Sequence, residues 1–140
     1  MKRGILKIYC DGGARGNPGP SAAAFVVIKG TTVEHKATEY LGERTNNEAE
    51  YAAVIMALSW LSDNKRLIAK KEVVFYLDSE LVAKQLSGEF KIKSKKLLPK
   101  FLSVKKLEKV IGVKIGYVSV PREKNRLADF LVNKILDQKK

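Results

Sequence analysis

Cysteine, histidine and tryptophan each occur once in the 140 residues. A lone cysteine excludes an internal disulfide, and the pairing of one cysteine with one histidine leaves too few ligands for a Cys/His zinc centre. Cys10 stands in an apolar run, the setting of a small buried side chain rather than a reactive thiol. No stretch approaches the roughly 18 consecutive apolar residues of a membrane span. The start, Met1-Lys2-Arg3-Gly4, leads into an apolar run that Asp11 cuts too short for a signal peptide. Repeats, linkers and low-complexity tails are missing as well. These absences suit a soluble protein of a reducing compartment, expected in the cytoplasm, with residues 1–140 forming one domain; a monomer is expected.

Acidic residues are scarce: 15 Asp and Glu stand against 27 Lys and Arg, a net charge of +12. Such a surplus concentrates polyanions around the protein, which makes nucleic acid the first partner to consider. A Lys-rich surface serving only solubility has the same composition, so charge alone leaves both readings open.

Periodicity supplies the elements. Ile5–Cys10, Ala22–Lys29 and Thr32–Leu41 read as strands joined by short connections, an antiparallel meander. Residues 12–20, rich in glycine and proline, read as a loop. Thr45 is a fair N-cap for a helix over Asn47–Leu61. Val73–Leu77 is a fourth strand, Glu80–Leu86 a helix that stops at Gly88, and Leu97–Val110 a Lys-rich amphipathic helix with Pro99 in its first turn. Val113–Val120 is a fifth strand and Asn125–Asp137 a last helix. The order βββαβααβα predicts an α/β domain: a five-stranded mixed sheet, antiparallel first and parallel later, flanked by helices.

Only five aspartates are present, and two of them, Asp11 and Asp78, stand at the carboxyl ends of predicted strands, where open α/β sheets bind ligands. If those strands are neighbours, the two anions repel unless a proton or a metal ion neutralises them. Oxygen ligands without Cys or His suit Mg²⁺ or Mn²⁺. A third carboxylate comes from the first helix. At 100° per residue Glu50 lines up with Val54, Ala57 and Leu61, the stripe that must face the sheet, whereas Glu48 points to solvent. Asp129 lies early in the last helix on the flank of Asn125 and Asn133, away from Leu131, Val132 and Ile135; on physics alone it is the weaker candidate, since a solvated helix carboxylate looks the same. Taken singly, Asp11-Gly12-Gly13 is also compatible with a plain turn and Asp78-Ser79 with a helix cap.

Four segments match a known family in order and spacing. They are Asp11-Gly12-Gly13-Ala14-Arg15-Gly16-Asn17-Pro18-Gly19-Pro20; Thr45-Asn46-Asn47-Glu48-Ala49-Glu50-Tyr51; Tyr76-Leu77-Asp78-Ser79; and Val120-Pro121-Arg122-Glu123-Lys124-Asn125-Arg126-Leu127-Ala128-Asp129. Along nearly its whole length the chain resembles type 1 ribonuclease H, in a compact form without the long basic insertion. The resemblance implies the ribonuclease H-like fold, and an endoribonuclease that cuts the RNA strand of RNA/DNA hybrids by a two-metal mechanism, leaving 5′-phosphate and 3′-hydroxyl ends. It implies a four-carboxylate site of Asp11, Glu50, Asp78 and Asp129 holding two Mg²⁺ with substrate bound, Mn²⁺ being the natural substitute. It places Asn17, Asn46 and Asn47 against the hybrid's backbone and minor groove and Thr45 on a phosphate. The loop at Gly12, Gly13, Ala14 and Arg15, together with Ser79, Glu80 and Asn125, joins that nucleic-acid face, and the backbone around Ala14 is expected to meet the 2′-hydroxyl.

Three features depart from the family. Ser119 stands where many members carry a histidine ten residues before the last aspartate. Arg122 is the nearest group able to contact the phosphate in its place, although it cannot shuttle a proton near neutral pH. His35, in the third strand, is expected at the surface, and Trp60 in the core. Glu80 replaces a frequent glutamine. Lys91, Lys93, Lys95 and Lys96 cluster ahead of the Lys-rich helix, where phosphate contacts are expected. The competing readings are a hybrid- or duplex-RNA-binding module with little cleavage, a broader nuclease that also cuts double-stranded RNA, and a domain related to that of reverse transcriptases.

Overall fold

Ile5–Ala14 (β1), Gly19–Lys29 (β2) and Thr32–Arg44 (β3) form an antiparallel meander, with the unbroken apolar run of β2 covered on both faces. The shorter, more apolar segments Glu72–Leu77 (β4) and Ile115–Ser119 (β5) add in parallel, β4 to β1 and β5 to β4. The sheet order is therefore β3-β2-β1-β4-β5, the five-stranded mixed sheet that the sequence predicts. The computed structural model describes residues 4–69 and 71–139; Met1-Lys2-Arg3, which bear on the signal-peptide reading, lie outside them. Among the described residues no helix is long and apolar enough to cross a membrane.

Helices cover both faces. Asn46–Ser62 (α1) lies between the sheet and Leu98–Ile111 (α4). Its Tyr51, Val54, Leu58 and Leu61 bury against Leu6, Ile8, Phe25, Val27 and Phe75 to form the main core. Between α1 and α4 come the single turn Lys65–Ile68 (α2) and the short Glu80–Leu86 (α3). The last helix, Arg126–Gln138 (α5), packs on the opposite face, Val132 and Leu136 against Ala22 and Ala24. Three successive alanines in β2 thus serve both layers, because small side chains let helices approach the sheet from either side.

Four expectations need correction. The order contains the extra turn α2, four residues without a side-chain cap, too short to carry a periodic signal. β1 and β2 continue to Ala14 and back to Gly19, so the glycine-rich loop shrinks to residues 15–18 and Asp11 lies within β1 rather than at its end. The ladder with β2 runs on to Ala14↔Ser21, while the parallel ladder with β4 stops at Cys10↔Leu77; Asp11 therefore still sits at the carboxyl edge of the parallel half. His35 is half-buried rather than a surface residue, its ring stacked 4.7 Å from that of Trp60. Trp60 in turn is only partly buried at the margin of the core.

Gly12, like Gly19, has no room for a side chain. A Cβ at position 12 would overlap the carbonyl group of Ala49 and the amide nitrogen of Glu50, all main-chain atoms that no rotamer change can move. Gly12→Ala is expected to destabilise the protein by roughly 2–4 kcal/mol, at or beyond the upper end of ordinary overpacking, because β1 and α1 must separate. Urea melts test this, and an unchanged midpoint would show that the contact tolerates a methyl group.

Candidate active site

Asp11 projects from β1 just past the last parallel pair, and Asp78 is the first residue after β4. Parallel neighbours that end at one level set their carboxylates side by side. The third carboxylate arrives from α1: Glu50 is buried on the stripe of Val54, Ala57 and Leu61, as helical periodicity predicts. The Gly12 N–H donates to Glu50 Oε1 at 3.1 Å, tying the helix to the strand at the site itself. One oxygen from each of Asp11, Glu50 and Asp78 lies within 4.8 Å of the others. Ser79, not Asp78, caps α3, its hydroxyl accepting from the Val82 N–H, so Asp78 remains free for the site.

The cluster is electrostatically costly as it stands. Asp11 and Glu50 are only 5% and 4% exposed. Burial, then the charge of Asp78, pushes the Asp11 carboxyl up to about 8. Burial and the charge of Asp11 hold Glu50 well above the usual carboxylate range. Glu50 Oε2 and Asp78 Oδ2 are buried and accept no hydrogen bond. Orphaned carboxylate oxygens converging on one point are what a hard divalent cation requires, and Mg²⁺ or Mn²⁺ fits this donor set. The only described cation beside them is Arg122, whose Nε lies 3.7 Å from Asp78 Oδ2 with its side chain largely in solvent.

Asp129, in the first turn of α5, is half-buried and lines the same groove of about 390 Å³, outside the tight cluster of three. Gly12, Gly13, Ala14 and Arg15 form one wall of that groove; Asn46, Asn47, Ser79 and Arg122 contribute elsewhere. Sequence reasoning missed Val132, Asn133 and Leu136 as lining residues, although Asn133 lies one turn beyond Asp129 on the same helix face.

Several side chains expected at the nucleic acid have internal partners. The Ala14 N–H, expected to meet a 2′-hydroxyl, donates to Asn46 Oδ1 at 2.8 Å, and the Asn46 N–H donates to Asn17 Oδ1 at 2.9 Å. The carbonyl ends of both carboxamides are thus committed, which directs their NH₂ groups elsewhere. Asn125 is 1% exposed and donates to the Cys10 carbonyl at 2.7 Å; it fastens α5 to β1 and is not placed to touch a ligand. Glu80 lies outside the groove and pairs with Lys84 at 2.7 Å along α3. Glu48, expected to face solvent, is partly buried and closes a capping box with Thr45, whose N–H and hydroxyl hold its carboxylate below the usual range. Lys91 and Lys93 line a neighbouring groove of about 560 Å³ that shares Asn47 with the first. Lys95 and Lys96 are exposed on the same loop.

A family model described as RNase H matches residues 3–136. The chain is 35% identical over 136 residues to a ribonuclease HI of Halobacterium salinarum, covering 96% of this chain and 65% of that protein. It is 36% identical over 132 residues to a bifunctional protein of Mycobacterium tuberculosis, covering 93% of this chain but 35% of the relative; the chain thus spans about a third of that protein's length. Among solved structures, LC11-RNase H1 in complex with an RNA/DNA hybrid superposes with a TM-score of 0.90 at 38% identity, over 96% of this chain and 98% of that one.

Two buried carboxylates with a third close beside them oppose folding in the absence of a cation. Because Asp11 binds its proton more tightly in the folded than in the unfolded chain, its contribution to stability is fully present below about pH 4. It is lost as pH rises through about 8. In EDTA, Asp11→Asn is expected to raise Tm, by roughly 3–8 °C near pH 8 for a change on the order of 1–2 kcal/mol, and by less near pH 5. Calorimetry at the two pH values checks this; an equal or lower Tm at pH 8 would mean that the cluster is not under electrostatic strain.

Proposed function

The chain belongs to the ribonuclease H family, and on that premise we propose that it is an endoribonuclease hydrolysing the RNA strand of RNA/DNA hybrids, leaving 5′-phosphate and 3′-hydroxyl ends. The observation that carries this reading is the convergence of Asp11, Glu50 and Asp78, two of them with buried oxygens that accept no hydrogen bond, at the floor of an open groove. A module that only binds nucleic acid gains nothing from clustered anions beside phosphates.

Asp11, Glu50 and Asp78 would hold the metal ions, with Asp129 reaching in from the groove wall; Mg²⁺ is the expected ion and Mn²⁺ its substitute. When bound, a pair of such ions supplies a more acidic water in line with the phosphorus and charge neutralisation at the leaving 3′-oxygen. The protein's own groups orient the substrate. The amino end of α1 brings its positive dipole end to the groove at Asn46 and Asn47, with Thr45 at its cap beside the expected path of a phosphate. The NH₂ groups of Asn17 and Asn46 are left to face the minor groove, where a 2′-hydroxyl distinguishes RNA from DNA. Arg122, beside Asp78, is placed to meet the phosphate near the cut but does not exchange a proton near neutral pH. Lys91, Lys93, Lys95 and Lys96 extend this track beyond Asn47 and supply sequence-independent, salt-sensitive affinity.

An end-labelled hybrid incubated in Mg²⁺ and then Mn²⁺ is the decisive test. Cleavage confined to the RNA strand is expected, reduced ~100-fold or more in Asp11→Asn and Glu50→Gln and retained in Glu48→Gln. Hybrid binding without cleavage would leave only a binding module, and comparable cutting of double-stranded RNA would make the enzyme a broader nuclease. Replacing Lys91 and Lys93 together by alanine is expected to weaken hybrid binding and to flatten its log–log salt dependence by roughly 1–2; an unchanged slope would take the loop off the phosphate track.

A further inference from the structure

Asp129 stands apart from the other three carboxylates in how it is held. Asp11 and Glu50 are buried and the Asp78 side chain is 11% exposed, whereas Asp129 is half-buried on the surface of α5, outside their cluster. Its described side-chain hydrogen bond comes from Asn133, one turn on, whose Nδ2 donates to Asp129 Oδ1 at 3.3 Å and to the Asp129 carbonyl at 3.1 Å. The other end of the Asn133 carboxamide accepts from the Arg15 guanidinium at 3.4 Å. Arg15 in turn is anchored on Asp137, a further turn along α5, at 2.7 Å.

The polarity of this chain is unambiguous. A guanidinium only donates and a carboxylate only accepts, so one orientation of the Asn133 carboxamide satisfies both neighbours and its flip satisfies neither. Arg15 is well placed to impose that choice because its main chain is locked: its N–H donates to the Pro20 carbonyl at 2.8 Å, and its own carbonyl packs where Gly19 would carry a Cβ. The Arg15–Asp137 pair is exposed and adds little to stability. Its effect is to hold one guanidinium in one direction.

We propose that Asn133 is a positioning residue for Asp129, turned toward it by Arg15 and Asp137, so that the relay Asp137–Arg15–Asn133–Asp129 sets how firmly the fourth carboxylate engages a divalent ion. Asn133 lines the groove but stands outside the carboxylate cluster, and Asp137 lies outside the groove; both act through Asp129. The proposal rests on the metal-dependent nuclease reading above.

The experiment compares wild type with Asn133→Ala, Asn133→Asp and Asp137→Asn, using Lys134→Ala on the same helix as control. Direct Mn²⁺ binding is followed by electron paramagnetic resonance without substrate. Hybrid cleavage is followed as a function of Mg²⁺, with KM for the hybrid measured at saturating metal. Asn133→Ala is expected to weaken Mn²⁺ binding and to raise the Mg²⁺ concentration for half-maximal cleavage by about 3–10-fold, with KM within about twofold of wild type. Asp137→Asn is expected to shift both in the same direction by about twofold. Asn133→Asp, which removes the donor and faces Asp129 with an acceptor, is expected to be at least as impaired as Asn133→Ala at subsaturating Mg²⁺. Lys134→Ala should behave as wild type. If the Asn133 variants fold with wild-type circular dichroism and leave both metal dependences unmoved, or change only KM, the relay is a surface ornament of α5 and the proposal is overturned. A wild type that shows no metal-dependent cleavage would instead overturn the functional reading, and the Mn²⁺ binding comparison would still decide the relay.

Discussion

Strand β1 passes the start of α1 so closely that position 12 has no room for a side chain, and the Gly12 N–H reaches the carboxylate of Glu50 across that gap. This approach joins the scaffold to the chemistry. It determines the depth at which α1 lies on the sheet, and with it the packing of Tyr51, Val54 and Leu58 in the core. It also delivers Glu50 to the level of the sheet edge where Asp11 and Asp78 emerge. A helix riding an ångström or two higher would keep a respectable core but leave Glu50 short of the other carboxylates, since the convergence spans only 4.8 Å.

A second constraint is the opposition between the acidic centre and its basic surroundings. The clustered carboxylates alone would repel a phosphodiester, and the surplus of positive charge over the whole chain, +12, counters this at long range. Divalent ions complete the compensation locally, where lysine side chains do not reach. The fold divides these tasks by depth. The acids stand on buried positions of β1 and α1 and at the end of β4, while the lysines of residues 91–96 ride an exposed loop next to Asn47.

Much of this was legible in the sequence, for physical reasons that can be named. Strand runs ending at Asp11 and Asp78 put two acids at one sheet edge, and rotation by 100° per residue separated Glu50 from Glu48 without reference to any relative. The continuation of β1 through Gly12-Gly13-Ala14 was not legible, because local composition there favours a turn and only the ladder with β2 overrides it. Side chains with remote partners were hidden for a related reason. Asn125 is consumed by Cys10, 115 residues away, and Arg15 meets Asn133 across 118 residues; no window along the chain contains both ends. Glu48 was misread because a capping box reuses as a local staple a side chain that periodicity alone sends to solvent.

The two helices that carry acids are unequally rooted. α1 buries eight of its residues between the sheet and α4, whereas α5 buries three and rests on a pair of alanines, with Asn125 as its tether to β1. Local opening free energies follow buried apolar contact, so in native-state hydrogen exchange α5 belongs to a weaker cooperative unit than α1. Warming would release α5, and Asp129 with it, while Asp11, Glu50 and Asp78 were still in place. Loss of function would then begin as a rising demand for metal ion well below the temperature at which the sheet itself comes apart.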